Sequence, residues 1–326
     1  MAQTKSQLEI YKIILGRKTV RQILEEKAEE EGVILNNNND FANYLYRKFL
    51  CKLTQEIAWK SDNTKLGLSL FANREEDINT ILTNHSEHNC IEGFIDGGPY
   101  DKIKTIAQTT NVSQRELLGR DKMVTERFYM YLYLPLGAKV GLLLIEKKGS
   151  FKISSAIQCL IVELLKTDHS AVKFERFVPH SLIDEYKNGS VVDTLTFTDY
   201  MTTSVIDGND ENAVMKRYGV TIKITPPTED RTDLNLVNNM LNALREASMK
   251  LGIATKSLSE FSTKRGTLKK ENKRYSFTLG NDLKIKPIIE IEDELQDEEL
   301  GILKRADIKS MCDELLAQIR DEIYAI

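Results

Sequence analysis

The strongest pattern along the chain is an apolar run, Phe128 to Ile145, FYMYLYLPLGAKVGLLLI, which carries a single charge, Lys139. Pro135 and Gly137 interrupt it, and residues of that kind punctuate a turn. The flanks are β-branched, aromatic or leucine-rich. The pattern predicts a hairpin with strands over 128–134 and 139–147 rather than a membrane span. A turn centred on Leu136–Gly137 sets Phe128 opposite Ile145 and Tyr129 opposite Leu144. Both faces of both strands are then apolar, so the hairpin is expected at the centre of a sheet covered on two sides.

Weaker patterns surround it. Upstream, Leu8–Leu15 predicts an opening strand, and Val20, Ile23 and Leu24 recur at helical spacing between Thr19 and a closing Gly32. Asp40 is expected to cap a helix through FANYLYRKFLCKL. Short strands are expected over 54–59, 66–71, 91–96 and 102–108, with a turn at Gly97-Gly98-Pro99. Downstream, Ser150 is the expected cap of a helix whose stripe is Ile153, Ile157, Leu160, Ile161 and Leu164. Strands follow over 172–178, 191–198 and 218–224, with Val192, Thr194 and Thr196 on one face of the second. A helix spans 230–251, a hairpin turns at Gly280-Asn281-Asp282, and a helix over 304–324 closes the chain. This order predicts an α+β fold: two mixed halves with mainly antiparallel sheets, joined by the central buried hairpin. The expected domains are 1–149 and 150–326, the second with a basic loop (262–286) and an acidic loop (290–299).

Composition narrows the class. The 326 residues are 41% hydrophobic and 29% charged, with a net charge of −4, an ordinary globular balance that excludes a strongly basic protein. The four cysteines are widely spaced without a CxxC pair, as for reduced thiols in a cytoplasmic protein. The opening MAQTKSQLEIYKI has no apolar core before a small-residue cleavage site, so no secretory signal is expected. Phosphate-binding glycine motifs, the GxSxG elbow and HExxH are all absent from the sequence.

Three stretches carry candidate chemistry. His85, Glu87, His88 and Cys90 are metal-capable, but no second ligand pair follows at zinc-site spacing, so a polar loop is expected and no metal or other cofactor. Glu146 and Lys148 end the second hairpin strand on one face. A strand ending Glu-x-Lys before a helix resembles the half-motif of PD-(D/E)xK nucleases. That resemblance implies Mg²⁺ or Mn²⁺ held by Glu146 and an upstream carboxylate such as Asp121, with Lys148 acting on the attacking water. Neither Asp121 nor Asp101 is directly preceded by proline, which departs from the motif.

The sharpest charge pattern lies between Ser262 and Lys286. Eight basic residues there, among them Lys264, Arg265, Lys269, Lys270, Lys273 and Arg274, face only Glu271 and Asp282. Seven acids and no base follow between Glu290 and Glu299. The basic arm suits a nucleic-acid backbone, with Tyr275 beside it for stacking. The plain alternative is mutual neutralisation of the two segments, within one chain or between subunits of a homo-oligomer.

Residues 126–200, with Glu126-Arg-Phe-Tyr-Met-Tyr, Gly141-Leu-Leu-Leu-Ile-Glu-Lys-Lys-Gly149 and a strand ending Val178-Pro179, resemble uncharacterised bacterial proteins encoded with anti-phage defence systems. The resemblance implies a setting and no mechanism. The expectation is a cytoplasmic, non-catalytic binding or assembly component that contacts nucleic acid, a protein partner or copies of itself, and no membrane. The metal-dependent nuclease is the rival.

Overall fold

The structure, a computed structural model, describes residues 6–55, 58–70, 75–101, 103–107, 115–120, 122–168, 170–187, 190–205, 214–227, 261–270, 273–278, 284–285, 289–297 and 302–324. In chain order the elements that position the site are β1 (Ser6–Ile14), α1 (Val20–Glu30), α2 (Asn38–Leu53), β2 (Trp59–Ser61), β3 (Leu66–Ser69), α3 (Glu75–Ile81), β4 (Leu82–His85), β5 (Cys90–Pro99), β6 (Lys104–Ala107), β7 (Arg115–Leu118), β8 (Glu126–Tyr133), β9 (Val140–Lys148), α4 (Ser154–Leu165) and β10 (Lys173–Phe177). Then come α5 (His180–Lys187), β11 (Val191–Val205), β12 (Val214–Ile224), β13 (Thr263–Lys270), β14 (Lys273–Thr278), β15 (Lys284–Ile285), β16 (Ile289–Glu290) and α6 (Arg305–Tyr324). Every recorded strand pairing is antiparallel, and the fold is α+β as expected.

The chain divides into two units, and the cut is not at 149/150. Unit 1 is 1–177 together with 289–326; unit 2 is 178–288. The reason lies in strand pairing. β10 runs along β1, with Ile10 opposite Phe177. β16 runs along the same strand, with Leu8 opposite Ile289. Phe177 and Ile289 therefore stand two register positions apart on one edge strand, and unit 2 leaves and re-enters through that gap.

Unit 1 is built on a sheet ordered β10-β1-β9-β8-β5-β3-β2, with β16 beside β1 and β4 beside β5. The apolar hairpin β8–β9 is central, as its two-sided pattern requires. One face (Phe128, Met130, Leu143, Ile145) packs on α1, α2 and α4 through Ile23, Phe49 and Leu160. The other (Tyr129, Tyr131, Leu142, Leu144) packs on the α6 stripe Ile308, Cys312, Ile319 and Ile323. Its register differs from expectation by two: Met130, not Phe128, faces Ile145. A tight turn does form, with Ala138 N–H donating to Pro135 O at 3.0 Å, but Leu134 leaves the ladder to donate to Asn89 O at 2.9 Å. A two-residue slip keeps every side chain on its face, so the core is unchanged.

Other boundaries move for local reasons. Asn37 caps α2, and Asp40 completes a capping box by accepting from the Asn37 N–H. Ser150 does not cap α4, which starts after Ile153 without a side-chain cap. Gly97-Gly98-Pro99 is no turn but the end of β5. A Cβ on Gly98 would stand 1.8 Å from Val124 O, so glycine serves close backbone approach there.

Unit 2 carries the sheet β12-β11-β13-β14-β15. The expected basic loop is instead the strands β13 and β14, paired from Arg265 opposite Thr278 to Lys270 opposite Lys273. A register shift between Val192 and Thr194 turns Val192 to the buried face, opposite Leu268, rather than alongside Thr194 and Thr196. The expected helix over 230–251 lies outside the described residues, as does the turn at 280–282.

Candidate functional site

Three polar arrangements stand out, each within one unit. The first surrounds Glu146, which is 1% exposed. Its Oε1 accepts from Ser6 Oγ at 2.7 Å and lies 3.9 Å from Lys148 Nζ, and its Oε2 accepts the Tyr129 backbone N–H at 2.9 Å. The β8–β9 ladder ends at Met130–Ile145. The carboxylate thus satisfies the next backbone donor, which the ladder leaves over. Burial pushes the Glu146 carboxyl above its usual range, against the opposing pull of Lys148, the Tyr129 amide and Ser6. Glu146 and Lys148 do share a face, as period two predicts, but both oxygens are engaged inside the sheet. Asp121 lies outside the described residues. Among the described residues no group of three or more His, Cys, Asp or Glu is placed to hold a metal ion.

The second lies where β5 and β8 meet α6. Glu92, 2% exposed, accepts from Arg305 through both oxygens, at 2.8 and 3.3 Å, and from Tyr129 Oη at 3.1 Å. His85 Nε2 is 3.1 Å from the same carboxylate, so one imidazole nitrogen is occupied. Arg305 also donates to Thr80 O. A buried charge needs this density of partners. Beside it opens a cavity of about 490 Å³, with Cys90, Tyr131 and Tyr133 from the sheet, His88 from the turn after β4, and Lys309, Asp313 and Arg320 from α6 among its lining. Asp313 accepts from Tyr131 Oη at 2.7 Å and from Lys309 Nζ at 2.6 Å. Burial acts to raise its carboxyl, but the Lys309 and Tyr131 bonds prevail and hold it below the usual range. Burial pushes the Cys90 thiol up to about 12, so it remains a neutral thiol. His85, His88 and Cys90 thus serve a cavity wall and an ion-pair network.

The third is the open face of the unit 2 sheet. Alternation puts Leu195, Phe197, Leu268 and Phe277 on the buried side, and the bulge adds Val192. The other side shows Thr194, Thr196 and Thr198, with Lys223 and Arg265 flanking Thr196 on its two neighbouring strands. Thr194 bonds Thr267, and Thr198 Oγ1 lies 3.4 Å from Thr221 Oγ1. Tyr200 is 57% exposed, and the Arg217 guanidinium stacks 4.1 Å from its ring centre. Lys269 lies two positions beyond Thr267 on the same side, and Arg274 is its backbone partner. Among the described residues this face carries no carboxylate at its register positions.

Period two therefore splits the predicted basic set. Arg265 and Lys269 take the open face, whereas Lys264 lies opposite Phe197 on the other. Lys270 and Lys273 pair at the hairpin end. The acidic segment from Glu290 belongs to unit 1. Charge counting along the chain missed Tyr200, Arg217 and Lys223. The Thr194-Thr196-Thr198-Tyr200 alternation was the signal for that face. The His85–Cys90 stretch was legible as candidate chemistry, but Glu92 with Arg305 and Tyr131 with Asp313 had no signal, since they meet across 213 and 182 positions.

Comparison with known protein families, with curated proteins and with solved structures gives no match. Among the described residues no helix is long and apolar enough to cross a membrane. The class defined here is an α+β protein whose second unit interrupts one edge strand of the first.

Proposed function

We propose that the chain is a nucleic-acid-binding protein that holds the sugar–phosphate backbone on the open face of β11, β12 and β13. One observation carries this: cations of one sign and hydroxyls share a regular face on which no carboxylate is described. A solvent-facing sheet ordinarily mixes both signs. Lys223 and Arg265 flank Thr196 on neighbouring strands, about 10 Å apart by strand spacing. Both reach phosphates from one surface, with Thr hydroxyls between them as further donors. Tyr200, exposed and stacked with Arg217, offers a platform for an unpaired base. The overall negative charge favours a local, face-specific contact over general polyanion attraction. The nuclease reading gains nothing from Glu146, whose oxygens are already engaged.

The test is fluorescence anisotropy with a labelled single-stranded oligonucleotide of mixed sequence across a salt series. Arg265→Ala with Lys269→Ala is expected to weaken binding and to lower the salt slope by about 1.5. Lys264→Ala, on the opposite side, is expected to change it little. Absence of wild-type binding at low salt, or equal loss in Lys264→Ala, overturns the proposal.

A further inference from the structure

The unit 1 cavity has features that packing does not explain. On α6 the core stripe Ile308, Cys312, Ile319 and Ile323 is buried. Displaced by one position runs a second stripe, Lys309, Asp313, Leu316 and Arg320, which lines the cavity. Spacing of three and four keeps these side chains on one helix side. A polar stripe is normal when it meets open water. Here it meets a pocket of about 490 Å³ that also has Tyr131 and Tyr133 in its wall, within the size range of small-molecule sites.

The polar groups divide into engaged and available. Asp313, Lys309 and Tyr131 satisfy one another. Arg320 has no carboxylate partner among the described residues. His88 is exposed at the mouth. Asn89, held in the left-handed region at φ 52°, stands between this cavity and a smaller hollow on the other sheet face. Glu87, exposed on the same wall, is an acceptor. The available set is thus a guanidinium and an imidazole for an anion, a carboxylate for hydroxyl or amino groups, and the Tyr133 ring with Leu316 for a flat organic part.

We propose that this cavity binds a nucleoside monophosphate: phosphate at Arg320 and His88, sugar or base donors at Glu87, and the base against Tyr133 and Leu316. A bare inorganic anion leaves most of the volume unused, and an uncharged nucleoside leaves Arg320 unused. The proposal stands on unit 1 alone and does not depend on the sheet face of unit 2.

Isothermal titration of the full chain with AMP, GMP, CMP and UMP tests it, with the parent nucleosides and inorganic phosphate as controls. At least one monophosphate is expected to bind with Kd below about 1 mM, and its nucleoside about tenfold more weakly. Arg320→Ala, at an exposed helix position, is expected to lose about tenfold with an unchanged thermal midpoint, whereas the Arg265→Ala, Lys269→Ala double variant keeps full affinity. Any of three results overturns the proposal: no monophosphate binding at about 5 mM, equal affinity for the nucleoside, or affinity unchanged by Arg320→Ala.

Discussion

Buried carboxylates are the residues on which this protein's polar chemistry turns, and they divide by partner. Glu92 has a bidentate guanidinium, a phenol and an imidazole. Glu146 has a hydroxyl and a backbone amide at hydrogen-bond distance, with its one cation at 3.9 Å. Desolvation therefore prevails at Glu146 and its folded pKa stands above the unfolded value. The sign follows from linkage: between the two pKa values the folded state binds more protons, so stability falls as pH rises from about 4.5 through the folded pKa. Glu146→Gln keeps one oxygen to accept the Tyr129 amide, turns its NH2 as a donor toward the Ser6 hydroxyl oxygen, and removes the buried charge. It is expected to lie within about 1 kcal/mol of wild type, or above it, at pH 7.5, and to lose this part of the pH dependence. Urea midpoints at pH 5 and pH 7.5 decide; a loss of several kcal/mol in the Gln variant at pH 7.5 would show that the charge itself is needed. The sequence did place Glu146 and Lys148 on one face, because alternation is local. It held no sign that Ser6 and the Tyr129 amide close around the carboxylate, 140 and 17 positions away.

Within single elements, glycine spacing and alternation decide more than composition. β5 reads as a strand closed by a Gly-Gly-Pro turn, yet it runs on to Pro99 because Gly98 lets Val124 O come within 1.8 Å of where a Cβ would be. Gly98→Ala must displace backbone and is expected to cost about 2 kcal/mol or more. Gly137, in the β8–β9 turn, has nothing within 4 Å of its Cβ position, and Gly137→Ala is expected within about 0.5 kcal/mol of wild type. Equal urea midpoints for the two variants would refute the close-approach explanation. In β13 the same period-two logic divides a charge cluster that looks like one patch in sequence. The bulge by Asp193 then resets which side Val192 takes, an event no alternation count can locate.

For the whole molecule, the decisive feature is the interrupted edge strand. In the β1 register Phe177 faces Ile10 and Ile289 faces Leu8, leaving one position, opposite Glu9, between them. Joining Val178 directly to Ile289 fills that position with a single residue and makes β10 and β16 one strand. The resulting chain, without residues 179–288, is expected to fold as unit 1, because insertions at closely spaced ends are tolerated. Circular dichroism and a single cooperative urea transition check it; an aggregated or non-cooperative product refutes the insertion arrangement. The sequence put the boundary at 149/150 because the apolar hairpin is its most visible landmark. Contacts made by β10, β16 and α6 on β1 and on the hairpin's second face move the boundary instead to 178 and 289.

The sequence by itself determined the two-sided hairpin, the helix stripes of α1 and α4, and the α+β class, since these are properties of periods two and 3.6 over short windows. Only the tertiary structure decided that Arg305 meets Glu92, that α6 completes unit 1, and that Lys223, Arg265 and Tyr200 share one open face. Pairing partners far apart in the chain are chosen by burial and backbone hydrogen bonding summed over a whole sheet, and no local window contains that sum.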